Sequence, residues 1–552
     1  MRPGKVAARL LIIGVVVVTF TLGAPQSIDP IQNPPDAGQV PETTTTTSSP
    51  CQSKPVTTPW ISDTDAARLS IAISNAAFEC APAVVIANGD TRNLVIAAQL
   101  AAAAHGPLLL EGQDTQLITD EVRRLTPETV YVVGGSSDVL SGTIETRALN
   151  AGEVLEAASA LLDGAPVLQA TGANSVGRAV VATVQRSAVI TGPFEPDPTT
   201  DPEWVAAHTP PRDTVWLADA RRPDLLAPVL AAAGARGESV LLSDPDDLRG
   251  PQATLAALRS MEPGHTVAAG GFSQDSLAWQ LPALLSAPEL PGGGLVVYPG
   301  RRLVALYGNP TTSALGVLGE QTPEESVSRV LEIAQGYDAD GAPILPSFEI
   351  IATVASATSG EDNNYSAEMS PEILRPWIEV AGANGIYVIL DLQPGRTDFL
   401  TQAKLYEEFL RLPYVGLALD SEWRLKPDQV HLRQIGSVDA AEINDVVEWL
   451  ASLVRDENLP QKYLLLHQFR LDMITNRDLI NTPPELAVVI QMDGQGPLPT
   501  KYDTWNALTA GTEDAGFRWG WKNFYDEDTP RGGATAEEVL ALDPVPVYVS
   551  FQ

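Results

Sequence analysis

Cysteine and histidine are scarce in this chain of 552 residues: it holds two of the first and five of the second. The histidines, His105, His208, His265, His431 and His467, are scattered, and none stands in an H-E-x-x-H pair. Zinc-finger frameworks and helix-borne zinc proteases are therefore excluded. No G-x-S-x-G elbow, Walker loop or dinucleotide glycine pattern occurs, so the sequence calls for no nucleotide cofactor and no metal. Basic residues are also few, 35 Lys and Arg against 69 Asp and Glu, for a net charge of −34. That balance excludes nucleic acid, whose phosphates need clustered cations. It also excludes simple electrostatic adhesion to anionic membranes. A bound polymer would have to be neutral, bridged by cations or held at local basic spots.

What is present begins with an export signal. Arg2, Lys5 and Arg9 precede an apolar run from Leu10 to Ala24, the n-region and h-region of a leader. About 15 apolar residues fall short of the roughly 20 a spanning helix needs. The small-x-small cleavage pattern is poor, with Leu22 in a small-residue place and Pro25 after Ala24, so residues 1–24 read as a signal peptide or an uncleaved anchor. Membrane contact is expected through that segment alone. Residues 25–60 are rich in Pro, Thr and Ser and read as a tether. In an exported chain Cys51 and Cys80 are expected to pair, the other reading being two free thiols.

Residues 61–290 say one thing twice. Residues 84–140 and 215–274 each run apolar strand, polar loop, Ala/Leu-rich helix, apolar strand, second helix, apolar strand, Gly-Gly turn. Such alternation predicts a repeated α/β unit with parallel strands. An Arg-bearing helix stands ahead of an apolar strand at Arg68 and again at Arg178. This order resembles the cell wall-binding repeat 2 family of surface-anchored bacterial proteins. The resemblance implies attachment to cell-wall polysaccharide or peptidoglycan and a cell-surface location. The family's aspartate-alanine-leucine signature is replaced by Thr91-Arg92-Asn93-Leu94 and by Arg222-Pro223-Asp224-Leu225.

The segment Pro291-Gly292-Gly293-Gly294 marks a boundary, and residues 295–552 change pattern. Eight apolar strand candidates, from Leu303–Tyr307 to Val547–Phe551, alternate with helical stretches at 323–336, 370–384, 398–412 and 439–455. The expected fold class is thus α/β throughout: parallel-sheet repeats followed by a (β/α)8 barrel, with a doubly wound open sheet as the competitor.

Barrel chemistry sits at the C-terminal ends of strands. Asp420 and Glu422 end one strand candidate two residues apart, a spacing that faces both side chains one way. Adjacent carboxylates raise one another's pKa, which keeps an acid protonated near neutrality. This D-x-E resembles barrel glycoside hydrolases in which such an element carries the acid. On that resemblance Glu422 protonates a leaving oxygen, with Asp420 or Asp391 as base, nucleophile or support. The plain alternatives are Asp420 as a cap and Glu422 paired with Arg424 or Lys426. Asp391 follows a run of five apolar residues, where a charge is costly unless used or paired; its alternatives are a salt bridge to Arg396 or a helix cap, a role Asp398 suits better. Trp423 and Trp519 are candidate sugar-stacking faces, and His467, Gln491 and Asp493 are candidate substrate contacts at strand ends. Three functions remain: a wall-associated glycan hydrolase, a non-catalytic surface protein that binds glycan through the same rim, and, last, metal-assisted hydrolysis through Asp391, Asp420 and Asp493, which lacks histidine ligands in a recognisable spacing.

Overall fold

The computed structural model describes residues 51, 54–135, 145–197, 199–244 and 246–552. The leader and most of the tether lie outside the described residues. Cys51 and Cys80 are joined in a disulfide, 29 positions apart in sequence.

In the front half, unbroken apolar runs become parallel strands because both faces are covered by helices. One four-stranded sheet has the spatial order Leu108–Leu110, Ala83–Ala87, Thr129–Val133, Glu145–Leu149. A second has the order Ser239–Ser243, Thr214–Asp219, His265–Gly270, Trp60–Ser62. In both copies the first strand of the unit is central, the second lies on one side of it and the third on the other. The fourth position is filled differently, by the next strand in one copy and by the chain's first described strand in the other. A separate parallel pair joins Val167–Gln169 to Val189–Thr191. The helices Thr91–Ala103 and Pro223–Arg236 pack on one another, and nearly every side chain they carry after the first turn is buried. The helix Ala66–Ala77 begins at Asp65, whose carboxylate accepts the Arg68 amide as an N-cap.

The rear half closes into an eight-stranded parallel barrel: β1 (Arg302–Gly308), β2 (Ile344–Ala355), β3 (Tyr387–Leu392), β4 (Val415–Asp420), β5 (Lys462–His467), β6 (Leu486–Met492), β7 (Arg518–Asn523) and β8 (Tyr548–Phe551). Each strand pairs with the next, and β8 returns to β1 through Leu303–Leu306 and Tyr548–Phe551. Closure excludes the open sheet. Helices Pro323–Ala334, Pro371–Ala383, Ala440–Asp456 and Leu498–Thr509 follow β1, β2, β4 and β6. Shorter ones, Phe399–Leu405, Glu407–Leu410 and Ala536–Leu540, follow β3 and β7. Between β5 and β6 the described chain makes two single 3-10 turns, Leu471–Met473 and Arg477–Leu479, in place of a helix.

Strand alternation divides the barrel's side chains into two cores. One set, including Val304, Phe348, Leu390, Leu417, Leu466 and Trp521, packs outward against the helices. The other fills the interior. Its lower part is apolar, built from Leu303, Leu345, Ile389, Ala418, Leu465 and Val489 with Tyr387 and Tyr463. Gly416 leaves room for these tyrosines, since a Cβ there would lie 2.7 Å from the Tyr463 carbonyl oxygen and 3.0 Å from the Tyr387 hydroxyl. The front half meets the barrel at the N-terminal ends of its strands. Gln461, just before β5, holds the segment that leads into the barrel: it donates its amide to the Leu295 carbonyl at 2.8 Å and accepts from Val297 and Tyr298 through its side chain. Arg249, buried against Trp279, reaches the Pro484 carbonyl ahead of β6 at 2.6 Å. The opposite, C-terminal mouth is left to the loops that follow the strands.

Replacing Cys51 and Cys80 together with serine is expected to cost about 3.6 kcal/mol, the chain-entropy value for a loop of this size. A urea titration of the full chain reads it as a lower midpoint; an unchanged midpoint would mean that packing alone holds the segment.

Candidate functional site

Above the apolar floor, every barrel strand delivers a polar side chain inward. Tyr307 comes from β1, Glu349 from β2, Asp391 from β3, Asp420 from β4, His467 from β5, Gln491 from β6, Lys522 from β7 and Tyr548 and Ser550 from β8; all are buried. Asp493, just past β6, and Glu422, just past β4, stand over this layer. Such a density of buried ionisable groups persists only where the groups hydrogen-bond one another.

The bonds run as follows. His467 Nε2 is 2.7 Å from Glu349 Oε1, and His467 Nδ1 is 3.0 Å from Asp493 Oδ2. Tyr548 donates its hydroxyl to Glu349 Oε2 at 2.6 Å, and Tyr307 donates to Asp391 Oδ2 at 3.0 Å. Asp420 Oδ2 lies 3.9 Å from His467 Nδ1. The Lys522 ammonium sits 3.4 Å from the centre of the Tyr307 ring, a cation–π contact. Gln491 donates to Ser550 Oγ at 2.6 Å. Asp391 Oδ1 and Asp493 Oδ1 are buried without a protein partner.

Two triads, Glu349–Asp391–His467 and Asp420–His467–Asp493, bring their donor atoms within 4.8 Å of one another, close enough to surround a cation. Both share His467, whose ring nitrogens each already face a carboxylate. A metal would have to break one of those bonds, and we assign none here.

The open part of the site is a cleft of about 620 Å³ at the barrel mouth. Glu422, Asp493, Lys522, Tyr307 and Gln393 line it, with Trp423, Phe469 and Phe524 as aromatic wall. The Trp423 wall is secured by its neighbours: its ring lies 4.9 Å from that of His431, whose Nε2 contacts the Tyr365 carbonyl at 3.1 Å. Gly395, at φ +60°, lets the loop after β3 pass under Asn364, where a Cβ would meet the carbonyl oxygen at 2.1 Å. The polar loop Thr358–Tyr365 thus buttresses the mouth through Asn364 and Tyr365.

The sequence-chosen residues separate by depth. Glu422, Trp423 and Asp493 reach the cleft; Asp391, Asp420, His467 and Gln491 lie beneath it, fully or almost fully buried. Trp519 is not brought there. It points outward from β7 and packs edge-on against Phe517 and Trp505 in the helix layer. The plain alternatives are also resolved. Arg424 pairs with Glu442, Lys426 bonds the Ser437 carbonyl and Arg396 bonds the Gln429 carbonyl, so none neutralises Glu422 or Asp391. Asp398 is the helix cap, accepting the Thr401 amide. Asp420 does accept the Glu422 amide at 3.3 Å, opening a single 3-10 turn.

Electrostatics sort the carboxyls. Burial pushes Glu422 up from 4.5 to about 7, with Asp493 and Asp391 pushing the same way and Lys522 and His467 opposing. Burial likewise raises Asp391 to about 7, with Glu349 adding and His467, Lys522 and the Tyr307 bond subtracting. Asp420 is held well above the carboxylate range by burial, reinforced by Glu422, Asp391 and Asp493 against the pull of His467. Burial disfavours a charged His467, yet Glu349, Asp420, Asp391 and the Asp493 bond outweigh it and hold the imidazole well above its usual range.

Glu349, Tyr307 and Gln393 are absent from the residues singled out by sequence. Glu349 carries the same mark as Asp391, a carboxylate inside an apolar strand between Phe348 and Ile350. For Tyr307 nothing local distinguishes a site tyrosine from a core one.

No protein-family model matches the chain, and no curated protein matches it. Among solved structures, Cwp6 from Clostridium difficile is similar over 60% of this chain and 62% of its own, at 12% identity and a TM-score of 0.36. Cwp8 from Clostridium difficile is similar over 40% of this chain and 50% of its own, at 13% identity and a TM-score of 0.32. The chain therefore spans about three fifths and one half of the lengths of these two proteins. Among the described residues no helix is long and apolar enough to cross a membrane.

A carboxyl whose folded-state pKa lies above its unfolded value binds its proton more tightly when folded. Its presence lowers stability as pH rises from about 4.5 to about 7, and that cost is complete above the upper value. Glu422→Gln is accordingly expected to match the wild type near pH 4 and to exceed it by up to about 3 kcal/mol at pH 8. Urea midpoints at the two pH values check this; a variant less stable at pH 8 would show that Glu422 is ionised without strain.

Proposed function

We propose that this is an exported surface protein that attaches to the cell wall through residues 61–290 and hydrolyses a glycosidic bond in the barrel, residues 295–552. The observation that carries the catalytic half is the pairing of Glu422 and Asp493 in one aromatic-walled cleft. Glu422 is a carboxyl tuned to about 7, so a large fraction is protonated at neutral pH. A group so poised donates a proton to a leaving oxygen and recovers it efficiently.

The second carboxylate of such a reaction must reach the substrate. Asp391 and Asp420 lie below the cleft, whereas Asp493 is among the residues that line it. Asp493 is therefore assigned the attack on the anomeric carbon or the activation of water, and Asp391 and Asp420 support from beneath. Lys522 and His467 offset the negative charge of the group. Trp423 and Phe524 supply apolar faces on which a pyranose ring stacks. The attachment half is supported by the repeated strand order of the front half and by its likeness in sequence pattern to cell wall-binding repeats. Wall polysaccharide or peptidoglycan is the partner this reading names.

The test is turnover of purified peptidoglycan and of neutral and amino-sugar polysaccharides by the full chain, with reducing ends as readout. Glu422→Gln is expected to lower the rate by roughly 10²–10⁴-fold, the usual contribution of a general acid. A rate that survives the substitution removes Glu422 from the mechanism. Retention on a glycan column without turnover by the wild type would instead make the barrel a binding module.

A further inference from the structure

We propose that His467 is a standing imidazolium strut, anchored to Glu349 inside the barrel, that aims Asp493 into the cleft. Its catalytic consequence rests on the glycosidase reading above; its existence does not. The geometry begins with acceptors. An ionised carboxylate only accepts hydrogen bonds, and a neutral imidazole has one N–H and one lone pair. His467 meets a carboxylate oxygen at each nitrogen, at 2.7 Å and 3.0 Å. A neutral ring would set a lone pair against a lone pair at one of the two contacts. Tyr548 donates to the other oxygen of Glu349 at 2.6 Å, so that oxygen already serves as an acceptor. The arrangement is satisfied throughout when the ring carries both protons and both carboxylates are ionised.

The groups around the ring favour that charge. Asp391 from β3 and Asp420 from β4 add to Glu349 and Asp493, while Lys522 from β7 is the one cationic side chain among the strand residues facing inward at this level. Tyr307 and Tyr548 contribute hydroxyls committed to Asp391 and Glu349. Glu349 and Tyr548 therefore act as positioning residues: they orient the imidazolium, and the imidazolium orients Asp493. A charge-assisted bond at Oδ2 fixes the Asp493 carboxylate where the residue lines the cleft, with Oδ1 left without a protein partner. Glu422, with no such bond, is pushed up to about 7 by burial. The two carboxyls of one cleft thus stand in different environments, as acid and nucleophile or base require.

The full chain labelled with 15N-histidine tests this directly, because only five histidines contribute ring signals. One histidine is expected to keep both ring nitrogens protonated two pH units above the ordinary midpoint of about 6.5. Its signal should vanish in His467→Gln. In Glu349→Gln the new amide donates where the carboxylate accepted, and His467 should turn neutral at pH 7 with the denaturation curve still cooperative. Should that variant not fold, Asp493→Asn serves in its place, with a fall of about one unit or more in the His467 midpoint expected. A neutral His467 in the wild type at pH 7, or displacement of its ring protons by zinc chloride, would overturn the strut. For any glycan turned over, the acid limb of the rate profile should rise by about one unit in Glu349→Gln and return in Glu349→Asp. An unmoved limb overturns the positioning role. An imidazolium present with no glycan hydrolysed leaves the strut standing and removes the glycosidase reading.

Discussion

Five carboxyl groups crowd one end of a closed barrel, and their mutual repulsion and desolvation constrain every other residue there. Glu349, Asp391, Asp420, Glu422 and Asp493 cannot all ionise inside a low-dielectric shell. His467 and Lys522 offset part of the charge, and protons on Asp420, and at neutral pH on much of Asp391 and Glu422, offset the rest. Removing either cation would leave carboxylates buried and unpaired. The chemistry of the site is the way this excess of charge is shared out.

The barrel makes that crowding affordable by confining it to one layer. Inward positions near the N-terminal ends of the strands are leucine, isoleucine, alanine, valine and tyrosine, and they form a dry floor. Two residues further along, the same faces turn polar on all eight strands. The front half docks beneath the floor, where Arg249 reaches the Pro484 carbonyl, and leaves the mouth open.

Much of this was legible in the sequence, and the exceptions have physical causes. The strands could be read because parallel strands covered on both sides are unbroken apolar runs, and the repeat because its three strands recur at matching intervals. The D-x-E at Asp420 and Glu422 and the isolated Asp391 could be read because a carboxylate in an apolar run is costly. Trp519 could not be placed, since both faces of β7 are buried and alternation alone does not say which points inward. Glu349 bears the same mark as Asp391. Its importance comes from His467, more than a hundred residues away, and only barrel closure brings the two together. The depth that parts Asp391 and Asp420 from Glu422 and Asp493 is likewise a product of where strands stop and loops begin.

The central claim is that burial, reinforced by Asp493 in the same cleft, keeps Glu422 partly protonated at neutral pH. An infrared pH titration of the full chain, following the carboxylic acid C=O band, tests it most directly. The account predicts a band titrating near pH 7 that loses one component in Glu422→Gln. In Asp493→Asn that component should persist but titrate at lower pH, because a neighbouring negative charge is gone. Loss of the component in Asp493→Asn, with Glu422→Gln unchanged, would reverse the two roles and contradict the account.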